Sequence, residues 1–418
     1  MSSTLLVERN AQMRRWTAIW PVALLTVAIW CPQTVRALSP EEQRKSFWKP
    51  ENRALKLQNP DTFHSCREVL AGGQIWKLKE AALSGSFAPE YSWQGKTYGI
   101  NEFNERTMTN ALLVLKDGKV VLEAYRNGST SRTRFISFSI AKSVLSALIG
   151  MAIEDGYIKS VEDTLTQYLP GLVGGPYEVV SLKDALQMLS GVDFPEVSDV
   201  VDPTIEPDLL FRIRFDAIGK HRYRFVEAAN TLRRNRPVGA KFSYNNMDAA
   251  VVGWLLETVT KKRLSMYMQE RLWQPAGMTA NAAWLLDGPP EIGREYVSGG
   301  LVATLRDYGR FGQFILNKGR ANGKQLVSPD WIAVSTTPNS LPVQFGGLYK
   351  ESPLGYGYYW WLLPEGGILA EGSFGQFICI EPNANVVIVK LSYWQKDWDE
   401  EKEMECYAFF NAVVEALD

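Results

Sequence analysis

Two blocks of strand-forming sequence stand far apart in this chain, and their separation limits its possible folds more than any other feature. The first, "ALLVLKDGKVVLEAY" (111–125), has two apolar, β-branched runs on either side of Asp117-Gly118, a tight-turn dipeptide, and reads as a β-hairpin. The second spans 355–393. It carries "GYGYYWWLL", "SFGQFICIEP" and "NVVIVKLSYW", short aromatic or β-branched runs broken by Gly, Pro and Asn. Between the blocks, from about 157 to 345, the signals are mostly helical: "SLKDALQML", "NMDAAVVGWLLETVTKKR", "LSMYMQERLW" and "LRDYGRFGQFILNKG". The two blocks are expected to share one antiparallel sheet, with the helical middle inserted between them and N- and C-terminal helices covering its faces. The class is therefore α/β of the α+β type. Residues 38–156 form the first part of the sheet domain, 157–345 a mostly helical domain, and 346–418 the strands and helix that complete the sheet domain. Helical signals also occur at "SPEEQRKSFW" (39–48) and "HSCREVLAGG" (64–73), and "EKEMECYAFFNAVVEALD" (401–418) reads as an amphipathic helix.

The N-terminus reads as a targeting segment. Arg9, Arg14 and Arg15 precede an apolar run from Trp16 to Trp30, and Val35 and Ala37 sit where a signal peptidase accepts small side chains. The run contains Pro21 and is short for a spanning helix. Residues 1–37 are expected to be a cleaved signal peptide that directs the chain to the periplasm, the alternative being a retained inner-membrane anchor. That segment is the only expected contact with a membrane.

Composition excludes several kinds of chemistry. A net charge of −1 gives no footprint for nucleic acid or an anionic membrane surface. The two histidines, His64 and His221, are too few for a typical zinc hydrolase, and no G-x-S-x-G elbow exists for a histidine to serve. No P-loop and no G-x-G-x-x-G after a strand occurs. Past residue 37 the cysteines are Cys66, Cys379 and Cys406, with no C-x-x-C spacing; this leaves room for one disulfide but indicates no framework and no metal site. No cofactor is implied.

Three short elements carry nucleophile chemistry. In "SFSIAKSVLSALIG" (137–150), Ser139 and Lys142 are three residues apart at the start of an apolar helix that Gly156 can stop. Helical spacing puts both on one face. Burial beside Phe138, Ile140, Ala141 and Val144 would favour a neutral lysine able to take the serine proton, and the amides of the helix start suit a developing oxyanion. Alone the tetrapeptide says little, since about one S-x-x-K arises by chance in a chain of this size, and taken alone it reads better as a capping serine with a solvated lysine. The second element is "FSYNNMDAAVVGWLLE", in which the phenol of Tyr244 can shuttle a proton to a leaving group and Asn246 can hold a substrate carbonyl and the lysine head. Tyr244 packing a loop and Asn246 capping the helix are the structural alternatives. The third is "AEGSFGQFICIEP", in which Gly372 permits close backbone approach and the Ser373 amide can be a second oxyanion donor, the alternative being an edge-strand glycine with no role.

In this order the elements resemble the serine β-lactamase and penicillin-binding-protein superfamily. Its class C β-lactamase-like branch fits best, and within that branch the family VIII esterases and, above all, the 6-aminohexanoate-dimer hydrolases. The blocks "SFSIAKS", "LQMLSGVDFPE", "FSYNNMDAAVVGWLLE", "PAGMTANAAW", "GGLVATLRDYGRFGQFILNKG", "YGYYWW" and "FGQFICIEPNANVVIVKLSYW" carry the resemblance over about residues 105–395. It implies the β-lactamase/penicillin-binding-protein-like fold, Ser139 as nucleophile, Lys142 as base, Tyr244 assisting proton transfer, and an oxyanion hole from the Ser139 and Ser373 amides. It implies hydrolysis of a small ester or linear amide through an acyl-enzyme. One departure stands out: where the family's β-lactamases carry K-T-G, this chain has Ala370-Glu371-Gly372. Loss of that cation, with Glu371 nearby, implies weak or absent β-lactamase activity. A penicillin-binding or DD-peptidase-like enzyme and a catalytically silent binding protein on the same scaffold are the competing readings. The basic stretch between Phe211 and Lys241 faces either an anionic substrate end or solvent. Phe194, Tyr358, Trp360 and Trp361 line either cleft or core, and Asp193 and Glu196 either edge the pocket or are solvated loop residues.

Overall fold

Both residues of the Asp117-Gly118 turn have positive φ, 51° and 72°, the pair of left-handed conformations that a two-residue hairpin requires. The turn joins β1 (Thr109–Lys116) to β2 (Lys119–Tyr125). The late strands are β3 (Gly355–Tyr356), β4 (Trp361–Leu362), β5 (Ile368–Gly372), β6 (Gln376–Glu381) and β7 (Val386–Ser392). The computed structural model describes residues 51–82, 86–194, 225–349 and 352–418. The expected targeting segment, the helical signal at 39–48, Glu196, and residues 211–224 of the basic stretch, His221 among them, lie outside the described residues.

As the separation of the two blocks requires, β7 pairs with β1, with Val386 opposite Lys116 and Val389 opposite Leu113. The full order is β3-β4-β5-β6-β7-β1-β2, all antiparallel, plus the short strand Lys79–Glu80, which runs parallel to β2 at the edge. Both faces of the sheet are apolar, so its strands read as continuous rather than alternating runs. In β1, Leu113 and Leu115 join one apolar cluster and Leu112 and Val114 the other.

The longest helices among the described residues are α1 (Ile140–Glu154), α2 (Asn246–Thr260), α3 (Leu305–Leu316) and α4 (Glu400–Glu415). The C-terminal helix α4 covers one face as expected, with Phe409 stacked on Phe103 at 3.7 Å between ring centroids. Among the described residues the other face is covered not by an N-terminal helix but by α1 and α3, which come after the hairpin. The glycines of "LRDYGRFGQF" explain how α3 fits. A Cβ at Gly309 would lie 2.4 Å from Leu113 Cδ2, and one at Gly312 would lie 2.5 Å from Val387 Cγ1. Spaced three apart, the two glycines form a flat stripe that lets the helix lie close on the sheet.

A second sheet of four strands has the order Cys66–Val69, Ala282–Leu285, Leu301–Thr304, Arg134–Ile136. Here the structure corrects the helical reading of "HSCREVLAGG": Cys66–Val69 is a strand, opposite Leu285 to Ala282. The partner that decides this lies more than two hundred residues away, and local propensity does not see it. Arg134–Ile136 is the strand that delivers the chain to Ser139. Cys66, Cys379 and Cys406 are free thiols.

Gly312→Leu is expected to drive a side chain into Val387 and Ile378 and to cost about 1–3 kcal/mol, read as a lower urea midpoint with an unchanged m-value. An unchanged midpoint would mean that α3 does not press on the sheet.

Candidate active site

α1 starts at a strained turn. Phe138, just before Ser139, has φ of 45°, a left-handed conformation that is costly for a bulky residue and is kept only where its surroundings enforce it. Ser137 N donates to Leu301 O at 2.8 Å, tying the turn to the second sheet. Ser139 occupies the N-cap position, but its φ is −67° and its hydroxyl makes no capping bond. It is held instead by Lys142, whose Nζ lies 2.9 Å from Ser139 Oγ and donates to Ser298 O at 2.7 Å. Lys142 is 1 % exposed. The capping serine with a solvated lysine is therefore not what forms.

Burial of α1 is nearly complete, from Ile140 to Ala152. Ser143 Oγ donates to Tyr359 O at 2.7 Å, so the residue after Lys142 anchors the loop between β3 and β4. Gly150 is backed by Trp331, whose Nε1 donates to Ser146 O at 3.1 Å.

Tyr244 stands at the start of α2 with its ring under the Lys142 amine, 5.0 Å from centroid to Nζ. Its neighbours fix it in place. Ser243 N donates to Met188 O at 3.0 Å, and Asn245 caps α2, its Oδ1 accepting from Met247 N at 2.8 Å and from Asp248 N at 3.3 Å. The helix cap is thus Asn245 and not Asn246. Asn246 is buried on the first turn, and its carbonyl accepts from Ser298 Oγ at 3.1 Å. Ser298 therefore links Lys142 to α2, a role that no motif in the sequence announces. On its other side Tyr244 stacks on Trp361, with centroids 5.8 Å apart and planes 8° from parallel. Trp361 is thus the aromatic candidate that meets Tyr244. Trp360 stacks on Phe311 in the core, Tyr358 packs on Trp331, and Phe194 is buried. Asp193 is exposed and pairs with Arg233 in a short ladder. Deeper in, Tyr177 OH donates to Asp248 Oδ1 at 2.8 Å, and burial first, then Asp248, pushes the Tyr177 and Tyr359 phenols well up.

The end of β5 closes the site. A Cβ on Gly372 would lie 2.3 Å from Ser137 O and 3.0 Å from Ser139 N, so only glycine lets the two backbones meet. Ser373 follows in the turn, half-buried. Phe374 repeats the strain of Phe138, with φ of 62°, and their rings touch at 5.1 Å. The turn is braced by Gln376, a buried side chain whose Nε2 donates to Ser373 O, Phe374 O and Ser392 O at 3.0–3.2 Å while its Oε1 accepts from Ser392 N at 3.1 Å. Glu371 corrects one expectation. It points to the opposite face of the sheet, where its carboxyl group meets the Tyr407 hydroxyl of α4, so it does not edge the cleft. Ala370, before it, belongs to the apolar cluster around α1. Among the described residues no three His, Cys, Asp or Glu side chains gather as metal ligands.

Ser139, Lys142, Tyr244, Asn246 and Gly372 thus meet in one place from α1, α2 and β5, with Ser373 next in the chain. A hydroxyl in contact with a buried amine, beside a phenol and an N-terminal helix turn, is an arrangement able to activate a nucleophile.

The β-lactamase family model matches residues 100–405. A 6-aminohexanoate-dimer hydrolase of Paenarthrobacter ureafaciens is 30 % identical over 299 residues, which cover 69 % of this chain and 74 % of that one. Among solved structures, a Bacillus anthracis protein assigned as a 6-aminohexanoate-dimer hydrolase superposes with a TM-score of 0.77 at 25 % identity, over 90 % of this chain and 96 % of that one. A penicillin-binding-protein homologue from Caulobacter crescentus gives 0.55 at 14 % identity, over 75 % of this chain and 96 % of its own; at that identity the likeness shows the fold alone.

Gln376→Leu removes the brace of the Ser373 turn and leaves its carbonyls without that partner. It is expected to cost about 1–3 kcal/mol, measured by urea unfolding; a loss below a few tenths of a kcal/mol would mean that the turn stands without it.

Proposed function

The chain belongs to the β-lactamase family, with the β-lactamase/penicillin-binding-protein-like fold, and is a serine hydrolase; from that premise we propose that it cleaves a small linear amide or ester through an acyl-enzyme on Ser139. The observation that carries this reading is the 2.9 Å contact between Ser139 Oγ and the buried Lys142 Nζ. A hydrogen bond of that length serves in either direction. With the amine neutral, Lys142 accepts the serine proton as Ser139 Oγ attacks the substrate carbonyl. Tyr244, with its ring against Lys142, assists transfer of that proton to the leaving amine or alcohol.

The oxyanion that forms is received by the amides of Ser139 and Ser373. The clearance of Gly372 over Ser139 N supports this pairing, because the turn bearing Ser373 starts there. Asn246 holds the substrate carbonyl and steadies the lysine head through its side-chain amide; its buried place on the first turn of α2, beside Tyr244, supports this. Water then enters and hydrolyses the acyl-enzyme by the reverse sequence of proton transfers.

The substrate class follows from the relatives and from one missing charge. Two similar proteins carry the name 6-aminohexanoate-dimer hydrolase, which supports a linear amide. Ala370 stands where the family's β-lactamases place the lysine that holds the β-lactam carboxylate, which supports weak β-lactamase activity. The chain acts after export, in the periplasm, or held at the inner membrane if residues 1–37 are retained. It acts on a small molecule and uses no cofactor and no nucleic acid.

The test is one panel of substrates, comprising short p-nitrophenyl esters, 6-aminohexanoate dimer and nitrocefin. With an unchanged far-UV spectrum, Ser139→Ala is expected to lower kcat by about 10³-fold or more, and Tyr244→Phe by about 10²-fold. Nitrocefin turnover stays low. Ser139→Ala at the native rate on every active substrate would sink the mechanism, whereas Ser139-dependent labelling by a fluorescent penicillin with no ester or dimer turnover would favour a penicillin-binding enzyme.

A further inference from the structure

Glu371 lies directly before Gly372 and Ser373, yet it has no place in the chemistry above. Its side chain is 3 % exposed and enters the cluster between the sheet and α4. There Tyr407 OH contacts Glu371 Oε1 and also Glu403 Oε1, the latter at 2.8 Å. Glu371 Oε2 has no partner among the described residues.

The proton count follows from these contacts. A phenol has one proton and touches two carboxyl groups, so it can donate to only one of them. The other contact is a hydrogen bond only if that carboxyl is itself protonated and donates to the phenol oxygen. Glu371 is the more buried of the two, and burial first, then Glu403, pushes its acid well above the usual range. Burial raises Glu403 less, to about 7. At neutral pH the chain therefore runs from the Glu371 acid to Tyr407 O, and from Tyr407 O–H to Glu403.

We propose that Glu371 is a positioning residue for the oxyanion turn, and that it holds β5 against α4 as a neutral acid whose proton is donated to Tyr407. This rests on the reading of Ser139 and Ser373 given above. No cation pairs with Glu371 among the described residues. Phe377 is opposite it on β6 and is in turn opposite Lys390 on β7; Lys390 is engaged by Thr107 O at 3.1 Å and by Ser392 Oγ. Cys379, on the same face of β6, is a thiol whose own acidity burial suppresses. From α4 only Glu403 and Tyr407 face Glu371, with Trp398 and Glu400 acting on Glu403. At the far end of the turn Arg53 lies over Phe374 and is bonded to Trp394 O and Gln395 O. An ionised Glu371 would thus be shut off from bulk solvent and without a cation, with Glu403 beside it and a Tyr407 proton that the two carboxylates would have to share. Any movement away from Glu403 passes to Gly372, which has no slack against Ser137.

The sign of the pH effect follows. Glu371 has a folded pKa above the unfolded value of 4.5, so the unfolded chain binds fewer protons over that interval. Stability is full at low pH and falls as pH rises from the carboxyl range through the folded pKa. The oxyanion turn is lost on the same alkaline limb.

The experiment measures kcat, KM and the thermal midpoint from about pH 6 to pH 9, with a short p-nitrophenyl ester. The native enzyme is expected to lose kcat reversibly toward the alkaline end, with KM unchanged. Glu371→Gln keeps a donor for Tyr407 and cannot ionise, so its kcat holds within about twofold over the range and its midpoint falls less. Glu403→Gln removes the neighbouring charge, so Glu371 ionises sooner and the loss moves to lower pH. Opposite displacements in these two variants support the proposal. A Glu371→Gln profile that superimposes on the native one, or a Glu403→Gln limb that does not move down, overturns it. The midpoint series needs no turnover, so a failure of the Ser139 mechanism would show in Ser139→Ala and leave the Glu371 result readable.

Discussion

Most of the site follows from one demand, that a lysine amine inside the protein must be given partners. Lys142 is carried inward because α1 is buried from Ile140 to Ala152 and sits beneath the sheet. An amine so placed is costly unless it is hydrogen-bonded. The fold supplies Ser139 Oγ from its own helix, Ser298 O from the approach to the second sheet, and the Tyr244 ring from the start of α2. Each partner comes from a different part of the chain, so satisfying one amine draws three segments together.

The same convergence explains where the backbone is strained. Phe138 and Phe374 both take left-handed conformations, and both flank residues of the proposed oxyanion hole. Their rings meet, Gly372 nests over Ser139 N, and Gln376 bonds three carbonyls around the second turn. The strain of each turn is held by packing that the other provides. A rigid arrangement of this kind presents amide donors without reorganisation when charge develops.

Reading the residues alone worked where the signal was local or came from an ordered set of blocks. The Asp117-Gly118 hairpin, the apolar helix after Ser139 and the strand character of 376–392 are all encoded within a few residues of where they form. It failed where a distant partner decided the outcome. Cys66–Val69 resembles a helix until Ala282–Leu285 lies beside it. The direction of Glu371 depends on which face of β5 meets α4, and a period of two cannot say which face that is. Asn245 and Asn246 are chemically alike, and only the entry angle of the chain decides that the first caps α2. Ser298 and Gln376 act through a backbone carbonyl and a set of backbone contacts, which leave no pattern of side-chain types to find.

From the sequence by itself came the sheet-insertion-sheet plan, the family, and the serine, lysine and tyrosine proposed for the site, because apolar period, turn chemistry and block order are properties of neighbouring residues. Tertiary structure decided that the serine hydroxyl faces the lysine rather than its own helix end, and that Trp361 rather than Trp360 meets Tyr244. It also turned the carboxyl after Ala370 toward α4. Those outcomes depend on distances between segments far apart in the chain, and such distances are set only when the two faces of one sheet are packed.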